Sequence, residues 1–224
     1  MGKSIMGKLA KKLIANLTEP VKIEVCRGSL LGCPKGVVDP KDLEMEILDL
    51  MDQLDLINEL KDCLSCENVS HPFLRISISG CVNGCSRPQI KDIGLEGVVS
   101  LRAVPEKCTH CGSCIKVCQE DAILLTEEGF SLNHERCLSC GDCARVCSSG
   151  ALSIEKTGIR LLIGGRLGRH PHLGQPVAKF LTTKEALKKI RHFFEMVIRE
   201  YHSGRNLEET LHYLEQNLFS ASGR

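Results

Sequence analysis

The chain has 224 residues, 42% of them hydrophobic and 25% charged, and a formal net charge of +1. That length holds one medium domain with a small insert, or two small domains, and the near-neutral charge implies no general polyanion partner. Tryptophan is absent, aromatics are 4%, and no apolar stretch approaches the roughly 18 residues needed to cross a bilayer, so neither stacked recognition of nucleic acid nor a membrane span is expected.

From the N-terminus, residues 1–20 carry Lys3, Lys8, Lys11 and Lys12 against Glu19, with Ile5, Leu9, Leu13 and Leu17 at helical spacing. This reads as a basic amphipathic segment that packs on its own domain or on a partner in preference to lipid. The run Met-Gly-Lys-Ser-Ile-Met puts Met6 where a myristoylation signal needs Ser or Thr. No secretory signal precedes the cysteines, so a reducing cytoplasm is the expected compartment.

Cys26 and Cys33 come next, with six residues between them in Cys-Arg-Gly-Ser-Leu-Leu-Gly-Cys-Pro. Asp39 and Pro40 form an N-cap and N1 pair, and Leu43, Ile47, Leu50, Leu54 and Ile57 make one apolar stripe, predicting an acidic core helix over 40–61. Cys63 and Cys66 follow, open to three readings: free thiols, a zinc or redox site, or substitute ligands. An alternating strand is expected over 73–79, leading into Gly-Cys81-x3-Cys85-Ser-Arg87-Pro and then Asp92-Ile-Gly-Leu-Glu-Gly97.

The densest signal lies in the middle of the chain. Cys108, Cys111, Cys114 and Cys118 are spaced C-x2-C-x2-C-x3-C, and Cys137, Cys140, Cys143 and Cys147 repeat that spacing 29 positions later. It is the spacing of bacterial two-cluster ferredoxins, in which the fourth cysteine of each run serves the other cluster. The resemblance covers about residues 104–156 and implies one cluster on Cys108, Cys111, Cys114 and Cys147 and another on Cys137, Cys140, Cys143 and Cys118. Zinc knuckles and a disulfide framework are the bland alternatives, disfavoured by the interlocked order and by the reducing compartment. The proline usual after the fourth cysteine is Gln119 in one half and Ser148 in the other, leaving a backbone N–H near each sulfur. Oxygen-sensitive clusters of this kind suit an anaerobic cell.

Beyond the repeat, Gly158-Ile-Arg-Leu-Leu-Ile leads into Gly164-Gly165-Arg166-Leu-Gly168-Arg169-His170-Pro. Thr182 to Glu185 reads as a capping box opening a helix with Leu187, Ile190, Phe194, Val197 and Tyr201 inward, and Asn206 to Glu209 opens another with Leu207, Leu211, Leu214 and Leu218.

The blocks outside the repeat resemble the sirohaem and [4Fe-4S] domain of the sulfite and nitrite reductase family, where an earlier cysteine pair precedes a helix and Gly-Cys-x3-Cys follows a strand. The resemblance implies an α+β fold: a sirohaem-type α/β domain, residues 21–100 plus 157–224, interrupted by a ferredoxin-like 2[4Fe-4S] domain at 101–156. It implies a third [4Fe-4S] cluster on Cys26, Cys33, Cys81 and Cys85, with Cys85 bridging to a sirohaem. Gly164 and Gly165 would let the backbone approach the macrocycle, and its eight carboxylates would be met from Arg27, Arg75, Arg87, Lys91, Arg160, Arg166 and Arg169, with Arg87 and Arg166 foremost.

The implied activity is reduction of sulfite, nitrite or a similar oxyanion with electrons from an external low-potential donor. The alternative is a non-catalytic electron-transfer subunit or a sirohaem-binding module of a larger complex. Three features depart from the family pattern: the first pair is usually spaced by five residues, the Cys63 and Cys66 pair is additional to the family set, and only 25 residues precede Cys26, where family members carry a substrate-clasping half. A homodimer or a second subunit is therefore expected across the sirohaem edge, with Lys8, Lys11 or Lys12 near the joint.

Overall fold

The computed structural model describes residues 20–60 and 74–203, together with Glu209 and Tyr213. The expectations for the basic N-terminal segment, for Cys63 and Cys66, and for the helix opened by Asn206 lie outside the described residues.

Five strands form one sheet in the order β1-β2-β3-β6-β7. Strand β1 (Val21–Val25), β2 (Leu74–Ser79) and β3 (Ile93–Ala103) run parallel, and β3 pairs antiparallel with β6 (Leu152–Ile163), which pairs antiparallel with β7 (Gln175–Leu181). A short helix α1 (Gly28–Leu31) follows β1, then α2 (Pro40–Gln53) and α3 (Leu56–Glu59).

Asp39 caps α2 as expected, accepting from the Lys41 N–H at 2.8 Å, with Pro40 at the first helical position. The stripe is core: Leu43, Ile47 and Leu50 are buried, and Leu54 and Ile57 pack against the same cluster. The predicted 40–61 helix is nevertheless broken, because Asp55 adopts a left-handed conformation (φ 49°) and restarts the chain as α3.

Helix α6 (Thr183–His202), numbered after the two short helices of the cysteine repeat, opens on the expected capping box: Glu185 N–H donates to Thr182 Oγ1 at 3.3 Å and Thr182 N–H donates to Glu185 at 2.8 Å. Ile190, Phe194 and Val197 are buried against the sheet, and Leu187 and Tyr201 are half-buried beside them.

Strand β2 departs from alternation. It is buried along nearly its whole length, Ser77 and Ser79 included, because it lies between β1 and β3 and its polar face is covered by the turn that follows it. Its serines are satisfied there rather than by water.

The long β3–β6 hairpin projects beyond the sheet and carries a separate small unit at its tip. That unit contains α4 (Ser113–Val117), a two-stranded sheet of β4 (Ile123–Thr126) and β5 (Gly129–Leu132), and α5 (Asp142–Arg145). It has its own apolar cluster of Ile123, Phe130, Cys143, Ala151 and Leu152. The hairpin strands extend to Ala103 and from Leu152, so the boundaries expected at 101 and 156 fall inside the paired stem.

Candidate metal centres

All twelve described cysteines are free thiols. They gather around three cavities. Cys108, Cys111, Cys114 and Cys147 line one, Cys118, Cys137, Cys140 and Cys143 a second, and Cys26, Cys33, Cys81 and Cys85 a third, of about 810 Å3. Each set combines thiols from separate stretches of chain around a void, the donor arrangement that a cubane cluster takes. Among the described residues no three Cys, His, Asp or Glu side chains meet closely enough to hold a single ion.

Backbone donors already point at several sulfurs. The His110 N–H reaches Cys108 Sγ at 3.4 Å and the Ser139 N–H reaches Cys137 Sγ at 3.4 Å, the same offset in each half of the repeat. Cys118 accepts from the Ala122 N–H at 3.4 Å and Cys147 from the Leu152 N–H at 3.3 Å. These donors, rather than the N–H groups of Gln119 and Ser148, are the ones placed on the fourth cysteines. Such bonds favour the thiolate, and they tune a bound cluster's potential. At Cys147 burial opposes ionisation, but the Leu152 N–H and Ser149 hydroxyl outweigh it and hold the thiol below its usual range.

Crowding is the opposing influence. Burial, reinforced by the neighbouring Cys140, Cys137 and Cys118, pushes the Cys143 thiol up to about 12. Burial likewise raises Cys81, with added repulsion from Cys33, Cys85 and Cys26. Thiols that raise one another when ionised are stabilised as thiolates by a shared cation, which is what a metal cluster provides.

The third set is built by tertiary structure. Strands β1 and β2 pair in parallel from Val21↔Leu74 to Val25↔Ile78, so the chain leaves both at the same sheet end, into Cys26 from one and Cys81 from the other. The Gly80 N–H donates to Cys26 Sγ at 3.3 Å, joining the two pairs directly. Gly32 takes φ 59° as the C-cap of α1, ending that helix one residue before Cys33.

The turn carrying Cys81 and Cys85 is locked by serines that the motif pattern does not flag. Ser86 Oγ donates to the Ile78 carbonyl at 2.8 Å and shares a 2.7 Å hydrogen bond with Ser79 Oγ, while Ser77 Oγ donates to the Ser86 carbonyl at 2.7 Å. Their signal is the Ser-x-Ser spacing of Ser77 and Ser79, which puts both hydroxyls on one strand face opposite a serine one step past Cys85.

Of the sirohaem contacts expected from sequence, Cys85 lies on the third cavity, whereas Arg87, Gly164, Gly165, Arg166 and Arg169 are not among its lining residues. Arg87 is exposed, with left-handed backbone (φ 60°), just past the Cys85 turn. Arg166 is half-buried and its Nε donates to His172 Nδ1 at 3.1 Å; Arg169 is exposed.

Gly164 and Gly165 have a reason within the protein. Gly164 needs φ 83°, and a Cβ on Gly165 would stand 2.3 Å from the Gln89 carbonyl oxygen, so the close approach is to the 88–90 turn.

Three of the further cations are held in ion pairs. Arg75 forks onto Asp92, with Nε at 3.0 Å and Nη2 at 3.0 Å, Arg160 pairs with buried Glu96 at 3.2 Å, and Lys91 pairs with Glu24 at 2.8 Å. The pairs leave their mark on titration: hydrogen bonding to Asp92 raises Arg75, and the Lys91 ammonium holds Glu24 below its usual range. Burial raises Glu96 despite Arg160. The cation on the third cavity is Arg27, and beside it Leu30 (74% exposed) and Leu31 (75%) stand in solvent.

Comparison with known proteins gives a family and a likeness of fold. The family described as the nitrite and sulphite reductase 4Fe-4S domain matches residues 20–215. A coenzyme F420-dependent sulfite reductase of Methanocaldococcus jannaschii is 46% identical over 120 residues, 54% of this chain and 19% of that protein. A subunit of the anaerobic sulfite reductase of Salmonella typhimurium is 36% identical over 50 residues, 22% of this chain and 15% of that one. The matched segments thus span less than a fifth of these curated relatives. Among solved structures, a dissimilatory sulfite reductase superposes with a TM-score of 0.57 at 17% identity, over 92% of this chain and 52% of the other, a likeness of fold. Among the described residues no helix is long and apolar enough to cross a membrane.

Proposed function

We propose a function from one premise: this chain belongs to the nitrite and sulphite reductase 4Fe-4S domain family, and so carries the residues of an iron-sulfur cluster. On our reading it is an iron-sulfur and sirohaem oxidoreductase that reduces an oxyanion of sulfur or nitrogen. Sulfite is favoured over nitrite, because both curated relatives named above are sulfite reductases. The observation that carries the reading is the convergence of Cys26, Cys33, Cys81 and Cys85, from two separate strand ends, on one large cavity.

When bound, the clusters supply one-electron transfer, and a sirohaem iron supplies a site for the central atom of the anion. The chain's own residues have definite tasks. Cys26, Cys33, Cys81 and Cys85 would hold the third cluster, and Cys85, exposed on that cavity, would present its thiolate toward a sirohaem. Ser77, Ser79 and Ser86 fix the turn that presents it. Arg27 on the cavity wall and Arg87 beyond the turn offer guanidinium groups to carboxylates or to the anion, with Arg166 and Arg169 as more distant candidates. Leu30 and Leu31 give the rim an apolar surface that excludes water once covered. The unit at the hairpin tip is an inserted ferredoxin domain holding two further clusters on Cys108, Cys111, Cys114 and Cys147 and on Cys118, Cys137, Cys140 and Cys143.

A second reading, an electron-transfer subunit or sirohaem-binding module of a larger complex, is favoured by the scarcity of cations at the cavity. Among its described lining residues Arg27 is the sole cation, so a second subunit or a second copy would have to supply the rest. Anaerobic purification followed by absorption spectroscopy and assays with sulfite and nitrite tests both readings. Soret and red bands with turnover support the reductase, the bands without turnover support the module, and iron-sulfur absorption alone removes sirohaem from either.

A further inference from the structure

The two halves of the cysteine repeat match in sequence and differ in their surroundings. The second half is fastened to the α/β unit at three points. The Val99 N–H donates to the Ser139 carbonyl at 2.9 Å, Arg160 Nη2 donates to the Leu138 carbonyl at 2.7 Å, and Lys35 Nζ pairs with Asp142 at 2.7 Å. Their counterparts 29 positions earlier are Thr109, His110 and Ser113. Among the described residues two of these bond within the small unit: the His110 ring meets the Thr126 carbonyl at 3.0 Å, and Ser113 Oγ lies 3.5 Å from Cys111 Sγ.

The cavities repeat the asymmetry. The one lined by Cys118, Cys137, Cys140 and Cys143 is also lined by Lys35, Val82 and Asn83. Val82 and Asn83 sit between Cys81 and Cys85, which line the third cavity, so a single turn has the second set on one side and the third on the other. The cavity of Cys108, Cys111, Cys114 and Cys147 is lined by residues of 108–152 alone, and Cys111 is exposed.

Given the reading that all three sets hold clusters, we propose that the repeat is polar. Cys118, Cys137, Cys140 and Cys143 form the inner relay, exchanging electrons with the third set across Val82 and Asn83. Cys108, Cys111, Cys114 and Cys147 form the outer port, which receives electrons from a one-electron donor. Each transfer oxidises the donor by one electron and reduces the outer port by one, with no bond made or broken. Lys35 is a positioning residue: it holds Asp142, and through it the inner loop, against the turn that carries Cys81 and Cys85.

The test uses the full chain, loaded anaerobically with iron and sulfide, as native protein, Cys111→Ala and Cys140→Ala. Iron is counted first, because a native count well below about 12 marks failure of the three-cluster reading rather than of the polarity. Dithionite-reduced samples are then examined by electron paramagnetic resonance, whose dipolar coupling falls with the cube of the separation. Loss of the broadening on the third cluster in Cys140→Ala, with its retention in Cys111→Ala, is the expected result. The reverse pattern, or equal narrowing in both, overturns the polarity.

Because a cysteine change can unfold the small unit, Lys35→Glu and the double variant Lys35→Glu, Asp142→Lys give an independent measurement by hydrogen exchange. Exchange over 82–86 and 137–145 should quicken about two- to five-fold in the single variant, the range for one exposed ion pair, and return in the double. Unchanged exchange in the single variant would overturn the positioning role of Lys35.

Discussion

In the repeat, eight cysteines lie within 40 consecutive positions, and their spacing nearly dictates which thiols meet. Cys26, Cys33, Cys81 and Cys85 are spread over 60 positions, and they meet because β1 and β2 pair in parallel and release the chain at one sheet end. A site written in local spacing depends on short loops, and one assembled from distant strands inherits the stability of the whole sheet. The small unit at the hairpin tip, with its own apolar cluster, should therefore outlast damage that dissolves the third site.

The strongest way to break this contrast is at Asp92. It is 5% exposed and accepts from the Arg75 backbone at 2.7 Å as well as from the guanidinium, tying β2 to the start of β3. Asp92→Ala leaves Arg75 without its partner and should cost about 3 kcal/mol. Urea denaturation should show that loss, while bound iron falls from about 12 to about 8 because the two repeat clusters persist.

Gly165→Ala sharpens the contrast from a neighbouring position, where the Gly165 N–H donates to the Lys91 carbonyl at 2.9 Å. A Cβ 2.3 Å from the Gln89 carbonyl oxygen forces the 88–90 turn away, at about 2 kcal/mol. Thermal melting of protein prepared without sirohaem should already show the loss; an unchanged melt there, with weakened sirohaem binding, would return Gly165 to the macrocycle.

Ser86→Ala is a smaller change. It removes the hydroxyl that reaches the Ile78 carbonyl and Ser79, at about 1–2 kcal/mol, and loosens Cys85 without touching the repeat. Spectra of the third cluster should broaden while those of the repeat hold. Thr182→Ala, which removes half of the α6 capping box, should cost about 1 kcal/mol and leave all iron in place, a control for generic destabilisation.

What could be read from the sequence follows the same division. Asp39 and Pro40, the α2 stripe and the Thr182 capping box are local signals, and each appears where the pattern placed it. The thiols of each expected cysteine set line a common cavity, the third set having been grouped through family resemblance rather than spacing. Partners brought from far along the chain were out of reach. Arg75, Lys91 and Arg160 look from sequence like cations offered to a ligand, and each is held by a carboxylate that only the sheet brings near. The Lys35–Asp142 pair spans 107 positions, and the stem strands run past the expected domain boundaries because pairing continues wherever partners face each other. Asp55, which breaks the predicted helix, takes a left-handed turn that the apolar periodicity continues straight through.

The most direct measurement of the central claim is iron and absorption on anaerobically purified native protein beside Cys85→Ser. About 12 cluster irons and a sirohaem spectrum are predicted for the native chain, with Cys85→Ser disturbing the third cluster and the sirohaem bands together and sparing about 8 irons in the repeat. A native chain holding about 8 irons, with spectra indifferent to Cys85→Ser, would contradict the account and leave a two-cluster carrier.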